Sequence, residues 1–308
     1  MTDAFKVSGE KREGKEREKM IQDISPKKLL LPYKESLPKK DDTVFVFRGS
    51  DKREDNALIR VLEDGHILAP TCGQLMEAGA VNAESHLQYL FAIDEKEYYL
   101  LNNGGAEDIS LPGFTYERVR TFCDGRIVDD MSLAGMTAYH LFFWYRDNMC
   151  CGRCGHKMIP FSKERAVQCP ACHNLVFPKL MPAVIMLVKD GEKLVVSRYK
   201  DREYTGIALL AGFCEIGESL EQTVEREVEE EVGLHVKDIT YFGSQPWGVD
   251  SNLLMGFYAD VDGSREIHRD KQELAKAVWI DRSEIQPQKN LASLTMTMLE
   301  AFRTGAIQ

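Results

Sequence analysis

The segment Ser219 to Leu234, SLEQTVEREVEEEVGL, constrains the fold of this chain more tightly than any other. Ser219 followed three residues later by Gln222 forms a capping-box pair, so the spacing predicts a helix over Ser219 to Val232. Leu220, Val224 and Val228 recur at four-residue intervals and mark its buried stripe. Glu227 follows Leu220 by seven residues and Glu231 follows Val224 by seven, about two helical turns. Two carboxylates therefore continue the apolar stripe, and Glu230 flanks them. Glu221, Gln222, Glu225 and Glu229 supply the solvated face. An ordinary acidic surface helix would turn all its carboxylates to water. Carboxylates aimed inward at such spacing lose hydration and repel one another, and each uncompensated one costs on the order of several kcal/mol.

A divalent cation removes that cost. Clustered carboxylate oxygens suit hard ions such as Mg²⁺ or Mn²⁺. Arg226 is placed to orient the carboxylates. Gly212 and Gly217 are expected to shape a loop before the helix, where backbone approaches phosphate closely.

Eight cysteines are present, and four fall in two C-x-x-C pairs, Cys151/Cys154 and Cys169/Cys172, around a 14-residue spacer. Two such knuckles place four thiolates tetrahedrally round Zn²⁺, with Gly152 and Gly155 permitting the tight turns. Sulfur fills every coordination position, so the expected zinc is structural. Cys150 and His156 are neighbours left outside the ligand set. Cys72, Cys123, Cys150 and Cys214 share no spacing, which favours one metal site plus free thiols over a disulfide framework.

The chain has 308 residues, which suggests two or three domains. Apolar residues make up 44% and charged ones 29%, enough to bury a core. The sequence contains neither an 18-residue apolar run nor a secretory h-region, so the expectation is a cytoplasmic protein without a membrane partner. A formal net charge of −10 repels phosphate backbone and disfavours general nucleic-acid binding. It leaves open a phosphate substrate held through metal ions.

Four segments follow from composition and periodicity. Residues 1–40 are expected as a charged, disordered extension, with every residue from Glu10 to Lys19 except Gly14 charged, and with Pro26, Pro32 and Pro38 keeping the chain irregular. Residues 41–147 form a β-rich domain, with strands at Thr43 to Phe47, Ile59 to Leu62, Leu87 to Ile93 and Tyr98 to Leu101, closed by a buried helix over Leu133 to Tyr145. Residues 148–178 hold the cysteine knuckles. Residues 179–308 mix strands and helices, with a hairpin turn at Asp190-Gly191, further strands at Leu209 to Phe213, Ile239 to Phe242, Leu254 to Ala259 and Ala277 to Ile280, and a closing helix over Leu291 to Phe302. The class is α+β.

From Gly212 to Leu234 the chain fits G-x5-E-x7-R-E-U-x-E-E-x-G-U at every defining position, U being aliphatic, and so resembles the Nudix hydrolases. The resemblance implies an α/β/α sandwich with a mixed sheet, and water attack on a diphosphate. A zinc ribbon before the box and Ser244-Gln245-Pro246-Trp247 after it resemble the NADH pyrophosphatases, or NAD-capped RNA hydrolases, from about Met131 onward. This resemblance implies that Glu227, Glu231, Glu273 and the Ala211 carbonyl ligate Mg²⁺ or Mn²⁺, with Glu230 completing the cluster. Phe177 and Phe213 would sandwich a nucleobase. Glu164 matches a position that touches substrate, and Gln245, Pro246, Trp247, Gly248, Val249, Asp250, Ser251 and Asn252 would line the pocket. The expected substrate is NADH or the 5′ end of NAD-capped RNA, and the expected assembly is a homodimer whose partner contributes to the pocket.

The chain departs from the family's S-Q-P-W-P-F-P-x-S at Gly248-Val249-Asp250 and at Asn252. Two prolines are lost, which predicts a less stiff loop, and Asp250 adds negative charge near a phosphate. Thr295 stands where the family tends to place a pocket-lining alanine. These departures favour a rival substrate: ADP-ribose, FAD or a dinucleoside polyphosphate. Periodicity alone would equally make Phe213 and Trp247 core aromatics and Glu273 a surface acid. A non-catalytic zinc-ribbon interaction module is the remaining alternative, but retired boxes lose metal glutamates and this one keeps all of them.

Overall fold

The computed structural model describes residues 20–49, 55–82, 87–102, 108–124, 127–200, 206–288 and 291–307. The charged run Glu10 to Lys19 lies outside them.

Among the described residues, ten elements of the N-terminal part precede one long helix. They are β1 (Leu29–Leu30), β2 (Thr43–Phe45), β3 (Phe47–Arg48), β4 (Asn56–Val61), β5 (Ile67–Leu68), α1 (Cys72–Glu77), β6 (Leu87–Ile93), β7 (Lys96–Leu101), β8 (Thr115–Arg118) and α2 (Thr121–Asp124), followed by the long helix α3 (Asp130–Asp147). One sheet runs β1-β6-β7-β2, and the other joins β3, β4 and β5 with β8 also on β4. The single strand expected over Thr43 to Phe47 is a crossing between these sheets at Val46. All five of its residues are buried, so neither face shows the alternation that would mark a sheet boundary. Residues 20–40 depart from the expected disordered extension. Leu29 and Leu30 pair with Ile93 and Ala92, and Ile21 is 1% exposed in the core that also holds α3. Scattered apolar residues among charged ones anchor this stretch, which average composition hides.

Helix α3 fits the expected apolar run, extended at both ends. Asp129 caps it, its carboxylate accepting from Met131 N–H and Ser132 N–H. At its far end Arg146 donates to both carboxylate oxygens of Asp55, at 3.1 and 2.9 Å, and Tyr139 donates to the same group at 2.8 Å. Asp55 is 2% exposed. This buried network fixes α3 against β4.

The cysteine segment folds as a small sheet of β9 (Ile159–Pro160), β10 (Val167–Gln168) and β11 (Leu175–Val176). The remainder builds the mixed sheet implied by the resemblance. Its strands are β12 (Met181–Asp190), β13 (Lys193–Tyr199), β14 (Leu210–Phe213), β15 (His235–Trp247), β16 (Asn252–Asp262) and β17 (Leu274–Asp281). The order is β15-β16-β12-β13-β17, with β14 on β12, and only β12–β16 pairs in parallel. Val184, Met186 and Val188 face the cluster under helix α4 (Leu220–Val232), while Ile185 and Leu187 face helix α5 (Leu294–Arg303) beyond a short 3₁₀ turn. Both faces of β12 are covered, which explains its unbroken apolar run. The strand also forks: its first half pairs with β14 and its end with β13. That fork seats β14 beside the acidic helix. Among the described residues no helix is long and apolar enough to cross a membrane.

The parts are tied together directly. A Cβ on Gly248 would lie 2.1 Å from the Met136 carbonyl of α3, so the turn after β15 lies flat on that helix. Val249 is 5% exposed inside the N-terminal core. Asp55→Ala would leave Arg146 buried without its carboxylate and is expected to cost about 3–5 kcal/mol, read as a lowered midpoint in urea unfolding.

Candidate active site

Helix α4 begins as its sequence requires. The Ser219 hydroxyl accepts from Gln222 N–H, and the Gln222 side chain accepts from Ser219 N–H at 2.8 Å. Gly233 ends it in the left-handed conformation at φ 68°. Val224, Val228 and Val232 are fully buried, each contributing about 1.5–3 kcal/mol of apolar burial. On the same stripe Glu231 is 2% exposed, and the Glu227 side chain is 12% exposed. Glu230 lies at the edge with 61% of its side chain in water. The solvated residues Glu221, Gln222, Glu225 and Glu229 are all exposed.

Gly212 is part of β14, within the strand expected over Leu209 to Phe213, and not of the loop before the helix. A Cβ there would lie 1.9 Å from the Glu227 carboxyl carbon, so only glycine lets this strand touch that carboxylate. Gly217 does sit in the loop before the helix, with φ 102°.

Arg226 organises the acids as expected. It donates to Glu218 Oε1 at 2.5 Å and Oε2 at 3.0 Å, to Glu227 Oε1 at 2.8 Å, to Glu230 Oε2 at 3.0 Å and to the Phe213 carbonyl at 3.0 Å. Its hydrogen bond holds the Glu218 carboxyl down from the ordinary 4.5 to about 2. Burial pushes Glu227 the other way. Arg226 opposes that rise, and the charges of Glu230 and Glu273 add to it. Glu273 is exposed in the turn before β17, and its carbonyl accepts from Lys200 N–H at 2.8 Å.

One participant escaped the motif. The Tyr199 hydroxyl lies 3.1 Å from Glu231 Oε1 and 3.2 Å from the Ala211 carbonyl oxygen, and accepts from Ala211 N–H at 2.9 Å. Tyr199 stands outside the box and no spacing marks it.

The donor set fits a divalent cation: hard carboxylate and carbonyl oxygens, gathered on a helix face against a glycine cradle. Among the described residues, the acidic oxygens do not all approach to ligand spacing, and Arg226 Nη1 bridges Glu227 and Glu230. The four cysteine sulfurs do converge. All lie within 4.8 Å of one another, with Cys151–Cys172 at 3.6 Å, Cys154–Cys169 at 3.4 Å and Cys154–Cys172 at 3.3 Å. Tetrahedral Zn–S bonds imply edges of about 3.8 Å, so this set could hold zinc.

Phe213 is 50% exposed and Phe177 49%, so neither is a core aromatic. Phe213 pairs with Ala183 near the start of β12, and Phe177 directly follows β11, four residues before β12 begins. Asn252 pairs with Met181 and is 7% exposed. Gln245 is fully buried. It donates to the Ala292 carbonyl at 2.7 Å and to Gln22 Oε1 at 3.2 Å, and accepts from Leu294 N–H at 2.7 Å. Pro246 is exposed, and Trp247 packs partly on the N-terminal core. Contacts hold the loop that lacks the two prolines: Trp247 Nε1 donates to Asp250 at 3.2 Å, Val249 anchors the turn, and Ser251 is buried at φ 59°. Thr295 is half-buried in the first turn of α5, and Glu164 is exposed between β9 and β10.

Carboxylate titration of the metal-free protein by NMR is expected to find Glu218 near about 2 and Glu227 above the usual carboxylate range. Glu218 thus stabilises the fold above pH 4.5, and that contribution is lost as pH falls through about 2. Glu227 has the opposite sign, its contribution being lost as pH rises through its elevated value. Arg226→Gln should raise both.

The NUDIX domain family model matches residues 179–301. The chain is 36% identical to the NAD-capped RNA hydrolase NudC of Pseudomonas aeruginosa over 206 residues, 66% of this chain and 73% of the relative. It is 31% identical to the protein of that name from Pseudomonas fluorescens over 252 residues, 80% and 87% of the two chains. A crystal structure of a NUDIX hydrolase from Nitrosomonas europaea matches with a TM-score of 0.44 at 21% identity, covering 50% of this chain and 90% of that one. With a Nudix helix laid against its glycine strand and a four-cysteine ribbon ahead of it, the chain belongs to the NADH pyrophosphatase/NudC family of Nudix hydrolases.

Proposed function

We propose that this protein hydrolyses the diphosphate bond of NAD(H), giving NMN(H) and AMP, and removes the NAD cap from the 5′ end of RNA. The carrying observation is the buried carboxylate pair Glu227 and Glu231 beside Gly212, in a chain that spans 73% of a NudC relative. Glu227, Glu230, Glu231, Glu273 and the Ala211 carbonyl would hold Mg²⁺ or Mn²⁺. When bound, the cation offsets charge on the attacked phosphorus and the leaving oxygen and makes a nucleophile of water. Arg226 keeps the carboxylates in register, and one glutamate of the cluster takes the proton of the attacking water. Phe177 and Phe213, both about half exposed, would sandwich the base. The ribbon would carry one structural zinc on Cys151, Cys154, Cys169 and Cys172. By the family resemblance the protein works as a homodimer in the cytoplasm. The net charge of −10 confines an RNA substrate to contacts at its 5′ end.

A second reading keeps the chemistry and changes the substrate to ADP-ribose, FAD or a dinucleoside polyphosphate. The turn Gly248-Val249-Asp250, folded inward onto α3, favours it.

Hydrolysis of NADH, NAD⁺, ADP-ribose, FAD and diadenosine polyphosphates with Mg²⁺ or Mn²⁺, followed by product chromatography, separates the two. NMNH and AMP as the dominant products support the first reading. Glu227→Gln and Glu231→Gln should each abolish turnover with the fold retained, and activity in both variants would sink the assignment. Gly212→Ala should push the Glu227 carboxylate aside and lower kcat by about 10²-fold.

A further inference from the structure

Tyr199 ends β13, where the pairing with β17 slips: Arg198 faces Lys276, but Tyr199 faces Leu274. A bulge of this kind re-aims a side chain. Here the ring packs half-buried on the apolar cluster under α4, and the hydroxyl reaches β14. Strand β14 is hydrogen-bonded to β12 along one edge. At Ala211 it also meets the Tyr199 hydroxyl, which takes the amide N–H and faces the carbonyl. The next residue, Lys200, donates its N–H to the Glu273 carbonyl at 2.8 Å. Two consecutive residues thus touch Ala211, Glu231 and Glu273.

A phenol carries one proton. Its oxygen accepts the Ala211 amide, so that single proton faces two acceptors, Glu231 Oε1 and the Ala211 carbonyl. These belong to two residues that the functional reading gives to the cation. The proton satisfies one acceptor at a time, and the other keeps a lone pair unshared with the phenol.

We propose that Tyr199 is a positioning residue of the divalent-cation site, holding the Ala211 peptide and the Glu231 carboxylate together before the cation arrives. The proposal rests on the metal-dependent reading above and adds to it a residue outside the Nudix motif. Removing the hydroxyl while keeping the ring separates positioning from packing. Tyr199→Phe is expected to weaken Mn²⁺ binding by about 10–100-fold, the range for groups that orient metal ligands. The readout is the electron paramagnetic resonance signal of free Mn²⁺ titrated into protein without substrate. The Mn²⁺ concentration for half-maximal NADH hydrolysis should rise by the same factor, and the thermal midpoint should stay near that of the parent protein. In a Glu231→Gln background the same substitution should have a smaller effect, because the amide oxygen left there still accepts from the phenol but carries no charge to hold for the cation.

A Tyr199→Phe binding curve that superimposes on the parent curve overturns the proposal. So does a weakened curve accompanied by a lowered thermal midpoint, or full additivity with Glu231→Gln. If the parent protein itself binds no Mn²⁺, the metal-dependent reading falls first, before any variant is made.

Discussion

Carboxylates lie on the apolar side of a helix here, and much of the C-terminal architecture answers that demand. Glu231 is 2% exposed on the stripe that carries Val224 and Val228. A buried carboxylate persists only where other groups compensate it. Those groups come from the helix itself and from elements distant in sequence. Arg226 brings its guanidinium from the same helix, Tyr199 its hydroxyl from β13, and Gly212 a strand without a side chain. The fork in β12 makes this geometry available, because β14 has to leave the main strand order to lie beside α4.

The local part of this arrangement was legible in the sequence. Capping, the apolar period and the position of each glutamate follow from one helix, so Ser219, Gln222, Glu227 and Glu231 stand where the spacing puts them. Strand positions in the mixed sheet were also legible, though β15 and β16 run well beyond the expected segments. What escaped depends on pairing between distant segments. The bulge that aims Tyr199 exists only through the register of β13 on β17. The need for glycine at 212 shows only when its neighbour across the gap is known to be Glu227. The crossing at Val46 is invisible because burial on every side erases the alternation that distinguishes one sheet from another.

The turn after β15 shows how a loss of proline stiffness can be offset. A proline restricts the unfolded chain, whereas Trp247, Val249 and Ser251 hold the native turn by contacts. The indole bonds Asp250, and Val249 sits in the core built round α3 and the N-terminal strands. Stiffness that proline would build into the chain depends here on the core round α3 being in place. The charge on Asp250 is likewise partly engaged by the indole.

Gln22 and Gln245 give this dependence a direction in time. Their amides meet at 3.2 Å across 223 positions, and Gln245 in turn fixes Ala292 and Leu294 at the start of the last helix. A ribosome adding 5–20 residues per second needs roughly 10–45 seconds to travel from one glutamine to the other. Until then the first described residues have no Nudix partner, and the core that holds Ile21 still lacks Val249 and Ala292. The amide pair therefore closes only after most of the chain has been made, and a core begun at one end of the chain is completed from the other.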